Sequence, residues 1–281
     1  MRSEPASGPS LVRPSSLEDV RGVPLAGGTD LVPLLRDGLV EAEELADVRE
    51  LLPRGLDGDR IGAGTTLAEL ERSPDAPEAL REACRLAASP QLRNMGTIGG
   101  NLLQATRCWY WRLHYSCYLH GGDRCHARDG EHREHAIFAN EPCASAHPSD
   151  PAAALLALSA TVETDRRRLA LRELYRLPTA DDRSLTTLEP GELILDIAFE
   201  RPDGSTYLKA MDRRRFSFAL VGVAAARFGD DVRLALSGVA PIPWELGGAD
   251  DLERATPLPG NAYKLDIARA LVRRALAAVP A

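Results

Sequence analysis

The chain has 281 residues, and 41 Asp and Glu residues outnumber 34 Lys and Arg residues, giving a formal net charge of −7. This acidic balance argues against nucleic acid and against an anionic membrane surface, because both partners attract a basic footprint. The length allows one large or two medium domains. No apolar run approaches the roughly 18 residues of a membrane span, and the N-terminus lacks the apolar core of a signal peptide. We therefore expect a cytoplasmic protein.

A first glycine turn lies in the segment PLAGGTDL, residues 24–31. The pattern predicts a short strand, a turn at Gly27 and Gly28, and a helix that Thr29 or Asp30 can cap. Such a turn exposes backbone N–H groups in a concave row, which suits a phosphate group. The segment is therefore a candidate nucleotide-binding turn.

A second glycine turn, Gly99-Gly100-Asn101, follows the segment LRNMGTI. A double glycine permits positive φ angles and lets the backbone approach a ligand closely. Most glycine pairs are only turns, so either segment alone is weak evidence for a ligand. Two such turns, each flanked by threonine, strengthen the hypothesis.

Residues 102–148 form an inserted segment without regular periodicity, and it contains four of the five cysteines and all six histidines. A loop of this length inside a compact domain is normally functional or disordered. Its aromatic residues argue against disorder. We expect a metal centre to organise it.

Four cysteines of this insert are candidate ligands: Cys108, Cys117, Cys125 and Cys143. There is no CxxC pair, which weakens a structural zinc site. Four isolated thiolates on a long loop can surround an iron–sulfur cubane, for which four cysteines is the expected number. Zinc, supported by the histidines, and free structural thiols remain alternatives. The fifth cysteine, Cys84, falls on the apolar face of a predicted helix and is expected in the core.

The remaining pattern predicts an antiparallel sheet with helices. Residues 192–199 alternate cleanly and are expected to form a hairpin with 206–210, and a second hairpin is predicted between 218–228 and 232–239. An amphipathic helix is expected over 265–279. The pattern changes near 175–190, so we predict domains at 1–178, containing the insert 102–148, and at 179–281. No nucleophile–base pattern was found, and no catalytic residue is predicted.

The residues resemble a known family. The segments PLAGGTDL, SPQLRNMGTIGGNLLQATRCWYWR and HPSDPAAALLAL, with the cysteine insert between the last two, are similar to the FAD-binding medium subunit of molybdenum hydroxylases, in the xanthine dehydrogenase family. YLKAMDRRRFSFALVGVAA and RLALSGVAPIPW resemble its C-terminal domain. Within this family, the sequence resembles the branch that carries an extra [4Fe-4S] cluster, as in aldehyde oxidoreductase flavoprotein subunits and the 4-hydroxybenzoyl-CoA reductase β subunit.

The resemblance implies an α+β fold: a two-lobed FAD-binding domain of the PCMH/VAO-like type, then a smaller α/β C-terminal domain with an antiparallel sheet and helices. It implies a set of FAD-binding residues, which are Ala26, Gly27, Gly28, Thr29, Asp30, Leu31, Thr97, Gly99, Gly100, Asn101, Asp150, Ile194 and Lys209. It also favours [4Fe-4S] ligation by Cys108, Cys117, Cys125 and Cys143.

The implied function is electron transfer. A partner subunit with the molybdenum cofactor would act on the substrate, a small partner would carry two [2Fe-2S] clusters, and the FAD of this chain would exchange electrons with an outer acceptor. Relatives of this type can be exported folded with a partner, so a periplasmic location is the alternative to the cytoplasm. Two functional alternatives remain: a flavin-free interaction subunit ordered by zinc, and a self-sufficient flavin oxidase of related fold.

Overall fold

The computed structural model describes residues 8–213 and 216–279, which form three sheets and the helices around them. The strands are β1 (Ser10–Val12), β2 (Val23–Leu25), β3 (Glu44–Asp47), β4 (Leu56–Asp57), β5 (Arg60–Gly62), β6 (Thr161–Thr164), β7 (Arg168–Ala170), β8 (Ile194–Ala198), β9 (Gly204–Ala210), β10 (Val221–Phe228), β11 (Asp231–Ser237) and β12 (Trp244–Leu246). The α-helices are α1 (Leu31–Arg36), α2 (Leu67–Arg72), α3 (Glu78–Ala87), α4 (Pro90–Met95), α5 (Ile98–Leu102), α6 (Trp109–Arg112), α7 (His126–Asp129), α8 (Asp150–Ala157), α9 (Leu171–Leu174) and α10 (Tyr263–Ala278). Three short 3-10 helices lie at Leu17–Asp19, Tyr118–His120 and Ala249–Arg254. This content confirms the predicted α+β class. Within the described ranges, no helix is long and apolar enough to cross a membrane.

The first sheet is small and parallel, with strand order β1-β3-β2. β2 ends at Leu25, and the first glycine turn then leads into α1, as the sequence predicts. Ala46 and Val48 form the buried centre of this lobe with Leu193. The turn therefore starts from a strand that is fixed by pairing and packing.

The second sheet has five strands in the order β4-β5-β8-β6-β7. The predicted hairpin between residues 192–199 and 206–210 is wrong: β8 pairs with β5 and β6, while β9 pairs with β10. Ile197 of β8 is fully buried and lies opposite both Ile61 and Val162. Alternation in a sequence identifies a strand but not its neighbour, and here two strands distant in sequence pair with β8, one on each side.

The third sheet is antiparallel, in the order β12-β11-β10-β9, and its β10–β11 hairpin confirms the second hairpin prediction. Alternate residues of β10 face opposite layers. Ala224 and Ala226 pack in the core that contains α8, whereas Val223 and Ala225 pack in the core that contains α10. The chain passes from the second sheet to the third between residues 198 and 204. The predicted boundary at 178 stays a prediction.

The insert 102–148 is attached to the segment after β11 and to α10. The backbone N–H groups of Ile137 and Phe138 both donate to the carbonyl oxygen of Val239, at 2.8 and 2.9 Å. Both side chains are buried in the core around α10. The buried Lys264 of α10 donates to the carbonyl oxygens of Glu134 and His135, at 3.0 and 2.8 Å. The part of the insert around residues 134–138 is therefore held firmly, although the insert contains little regular structure.

Candidate functional site

The two predicted glycine turns lie against each other. Gly27 packs so closely on the carbonyl oxygen of Met95 that a Cβ atom would collide with it, so no other residue fits there without a backbone shift. A Cβ atom on Gly96 would lie 3.3 Å from the Thr29 hydroxyl oxygen. Gly28 has φ +69°, a conformation that suits glycine. Close backbone packing thus brings together two segments about 70 residues apart in the chain.

The second turn forms the start of α5. The Thr97 hydroxyl oxygen accepts from the Gly100 N–H at 3.2 Å, as an N-cap does. The Gly99 N–H donates to the Ala63 carbonyl oxygen at 3.0 Å, and a Cβ atom on Gly99 would lie 2.9 Å from the Cβ of Ala63. On Gly100, in contrast, a Cβ atom would meet only the Thr97 hydroxyl, at 3.1 Å. Gly99 therefore serves packing, while Gly100 leaves space in front of the backbone.

Both turns open onto a cleft of about 300 Å³. Its lining includes most of the predicted FAD-binding residues: Ala26, Gly27, Gly28, Thr29, Asp30, Leu31, Thr97, Gly99, Gly100 and Ile194. Among the described residues, no protein acceptor is bonded to the backbone N–H groups of residues 27–30. Buried or half-buried amides normally find a partner. Residues 27–30 thus line the cleft with N–H groups that have no protein acceptor, and an anionic ligand can supply one.

Three predicted site residues lie outside the lining of this cleft. Asn101 accepts from the hydroxyl of Ser149 through its side-chain oxygen at 2.6 Å, which ties α5 to the start of α8. Asp150 and Lys209 form a buried ion pair, with 2.6 Å between Oδ2 and Nζ. Their predicted contact with FAD stays a prediction.

The Asp150 carboxylate is the centre of a buried network. Its Oδ1 accepts from the hydroxyls of Tyr207 at 2.5 Å and Ser237 at 3.2 Å, and Lys209 also donates to the carbonyl oxygen of Leu86 at 2.8 Å. Burial, above all, raises the pKa of the Tyr207 hydroxyl well above its usual value, and the nearby carboxylate adds to this. The network joins α8 to β9, β11 and α3.

The four candidate cysteine ligands occupy a buried part of the insert. Cys117, Cys125 and Cys143 are buried, and Cys108 is half-buried. Backbone N–H groups point at the sulfurs: Ala144 donates to Cys125 Sγ at 3.4 Å and Ser145 donates to Cys143 Sγ at 3.5 Å. The Nε2 atom of His135 lies 3.2 Å from Cys108 Sγ.

The thiols also interact with one another. Burial above all, with smaller contributions from the neighbouring Cys125 and Cys117, raises the pKa of the Cys108 thiol to about 11. A hydrogen bond between Cys125 and Cys143 lowers the pKa of Cys125 and raises that of Cys143. Cys84 is separate from this group: it is fully buried on α3, where burial raises the pKa of its thiol, as expected for a core residue.

A second cavity, of about 240 Å³, adjoins the cleft and shares Leu103 and Gln104 with it. Its walls include Trp111, His147 and Tyr175. Burial lowers the pKa of His147 to about 3, so the ring is neutral at physiological pH. This cavity could not be predicted from the sequence, because its walls come from separate segments between residues 102 and 241 and no single segment has a recognisable motif.

The sequence and the fold are similar to those of known proteins. Residues 14–200 match the family described as "FAD binding domain in molybdopterin dehydrogenase". The chain is 36% identical over 288 residues to the aldehyde oxidoreductase FAD-binding subunit PaoB of Escherichia coli, with 90% of each chain covered. It is 25% identical over 245 residues to the nicotinate dehydrogenase FAD-subunit of Eubacterium barkeri, covering 78% of this chain and 68% of that one.

Solved structures share the fold. A chain of the carbon monoxide dehydrogenase of Hydrogenophaga pseudoflava superposes with a TM-score of 0.68 at 23% identity and covers 97% of both chains. A chain of quinoline 2-oxidoreductase from Pseudomonas putida 86 gives 0.66 at 19% identity, covering 96% of this chain and 95% of that one. The fold and the cleft define a flavoprotein component of an oxidoreductase. The chain belongs to the family of FAD-binding domains in molybdopterin dehydrogenases.

Proposed function

We propose that this chain is the FAD- and [4Fe-4S]-carrying electron-transfer subunit of a multi-subunit molybdenum-dependent oxidoreductase. In this assembly it relays electrons between the [2Fe-2S] clusters of a small partner subunit and an external acceptor, while a large molybdenum-cofactor subunit acts on the substrate. The single observation that carries the proposal is the cleft in which the two glycine turns meet, within a chain whose family binds FAD.

The first glycine turn fits the pyrophosphate of FAD. Residues 27–30 line one wall of the cleft, their N–H groups have no protein acceptor, and Gly27 and Gly28 have no side chain to block access to the backbone. Gly100 gives a similar open approach on the second turn, and Ile194 supplies an apolar contact from β8. Bound FAD supplies exchange between one-electron and two-electron steps. The residues of this chain bind it and hold its orientation.

The cysteine insert fits an iron–sulfur cluster by its donor set. Four thiols come from one segment, three of them are buried, and backbone N–H groups point at two of the sulfurs. Hydrogen bonds to the sulfurs are one of the means by which proteins tune such clusters. Thiolates buried in this way need nearby positive charge, which coordinated iron supplies. Cys108, Cys117, Cys125 and Cys143 are the proposed ligands.

Zinc in place of the cluster, with no flavin, is the competing proposal. Four cysteines together can bind either metal group. Within residues 8–213 and 216–279, no three His, Cys, Asp or Glu side chains converge closely enough to hold a single metal ion. The insert also lacks a CxxC pair, which is typical of structural zinc sites, and this favours the cluster over zinc.

The proposed partners follow from similarity to subunits of larger enzymes, together with the exposed apolar residues of the insert. Leu113 and Tyr115 are 66% and 45% exposed. Exposed aromatic and apolar residues are typical of protein interfaces. We propose the cytoplasm as the location, with export alongside a partner as the alternative.

An anaerobic reductive titration tests the proposal. The purified chain, reconstituted with FAD and iron, is titrated with dithionite while its visible absorbance is followed. The proposal predicts about three electrons per chain, two for FAD and one for one cluster. Uptake of only about two electrons would support the flavin and overturn the proposed cluster. No uptake in a chain that retains zinc would overturn the proposal in favour of the flavin-free subunit.

A further inference from the structure

Asp30 lies between the two proposed sites. It belongs to the first glycine turn, lines the cleft and occupies the N-cap position of α1. An aspartate at this position ordinarily accepts a hydrogen bond from an N–H group of the first helical turn. Here the Asp30 side chain makes no such bond. Its carboxylate is directed to another part of the protein.

The carboxylate instead contacts the beginning of the cysteine insert. Its Oδ2 accepts from the backbone N–H of Ala105 at 2.7 Å. Its Oδ1 lies 2.7 Å from Nη2 of Arg107 and 3.3 Å from Nη2 of Arg112. The side chains of Asp30, Arg107 and Arg112 are 17%, 28% and 17% exposed. Charge-assisted hydrogen bonds in such partly dry surroundings are stronger than neutral ones.

These contacts lie before and after Cys108 in the chain, and Cys108 is the first proposed cluster ligand. Arg112 also donates from Nε to the carbonyl oxygen of Thr106 at 3.0 Å, and the hydroxyl of Thr106 accepts from the Cys108 N–H at 3.2 Å. The segment from residue 105 to 112 is therefore held as one unit around Cys108, and Asp30 is its attachment to the flavin cleft.

We propose that Asp30 is a positioning residue that couples the two sites, so that FAD binding and cluster retention stabilise each other. The inference rests on the proposed function, because it assumes that FAD fills the cleft and that Cys108 ligates the cluster. FAD fixes the first glycine turn, the turn fixes Asp30, and Asp30 fixes the backbone that carries Cys108. Coupling of this kind is reciprocal, so the cluster must tighten FAD binding by the same factor.

The test compares the affinity for FAD with and without the cluster. The dissociation constant is measured anaerobically by equilibrium dialysis, on the iron-loaded chain and on the same chain after iron removal by a chelator. We expect iron removal to raise the Kd for FAD at least about fivefold, the lower end of typical allosteric coupling. In Asp30→Asn this ratio should fall close to one, and Asp30→Glu should restore part of it.

Asp47→Asn is the matched control. Asp47 is also a buried carboxylate paired with an arginine, with 2.6 Å to Arg49, and it lies on β3 rather than against the insert. This variant should keep the wild-type ratio. Should Asp30→Asn fail to fold, Arg107→Gln removes one arm of the same contact and should lower the ratio.

The outcomes separate this inference from the proposed function. A wild-type chain that binds both groups with a Kd ratio near one overturns the coupling and leaves the proposed function intact. If the folded Asp30→Asn variant, or Arg107→Gln used in its place, keeps the wild-type ratio of Kd values without and with iron, the coupling belongs to other residues. This result overturns the role of Asp30. A chain that takes up neither FAD nor iron overturns the proposed function itself.

Discussion

Asp150 and Lys209 form an ion pair in which the Lys209 side chain has no solvent exposure and that of Asp150 has 1%. Both residues were predicted to contact FAD, and the structure gives them a contact with each other, 2.6 Å long, outside the lining of the cleft. A buried charge that loses its partner is strongly destabilising, because the remaining charge stays out of water. The pair therefore links the start of α8 to β9.

Removing one member of this pair should be costly. Asp150→Asn leaves the ammonium group of Lys209 buried without a carboxylate, and we expect the free energy of unfolding to fall by about 3–5 kcal/mol. Urea unfolding followed by circular dichroism measures this. The double variant Asp150→Asn/Lys209→Met should lose less than the sum of the single variants, because no unpaired charge remains. A loss below about 1 kcal/mol for Asp150→Asn would contradict the structural role.

A side chain at Gly100 should block the flavin cleft. Since a Cβ atom there meets only the Thr97 hydroxyl, Gly100→Leu should fold and project into the space in front of the second turn. We expect the Kd for FAD to rise by at least about tenfold, equivalent to 1.4 kcal/mol. Gly204→Leu is the control, because Gly204 has open space around it and lies outside the cleft. Unchanged FAD affinity in Gly100→Leu would place the ligand elsewhere.

The cysteines should separate into ligands and a core residue. Serine at position 108, 117, 125 or 143 should reduce iron below the roughly four atoms of a complete cluster. Cys84→Ala should keep full iron, because this fully buried thiol lies on α3 and outside the insert. Iron determination with cluster absorbance is the measurement. A serine variant that retains four iron atoms would remove that cysteine from the ligand set.

Acid should destabilise the chain partly through His147. Burial lowers its pKa from 6.5 to about 3. Between these values the unfolded chain binds a proton that the folded chain does not, so stability falls as the pH drops below about 6.5. When the pH falls from 7 to 5, the free energy of unfolding of His147→Gln should decrease by about 2 kcal/mol less than that of the wild-type chain. Parallel curves for His147→Gln and the wild type would contradict this account.

Local chemistry made part of this site predictable from sequence. Only glycine fits where Gly27 meets Met95, and both double-glycine motifs line the cleft, so these motifs identified two of its walls. The hairpin of β10 and β11 was predictable for the same reason, because its turn and its alternation are adjacent in the chain.

The remaining features depend on contacts between distant residues. The alternation in β8 identified a strand, but its partners Ile61 and Val162 are far away in sequence. Asp30 stands at a position where the sequence predicts a helix cap. Its carboxylate instead contacts Ala105 and Arg107, which are close to it only in the folded chain. Likewise, nothing adjacent to Asp150 indicates that Lys209 lies beside it.

The most direct test of the central claim is an anaerobic ultraviolet–visible spectrum of the purified chain, with flavin, iron and zinc assayed on the same sample. The account predicts a flavin band above a broad iron–sulfur shoulder, one FAD and about four iron atoms per chain, and no stoichiometric zinc. A colourless chain that contains zinc and cannot take up FAD would contradict it.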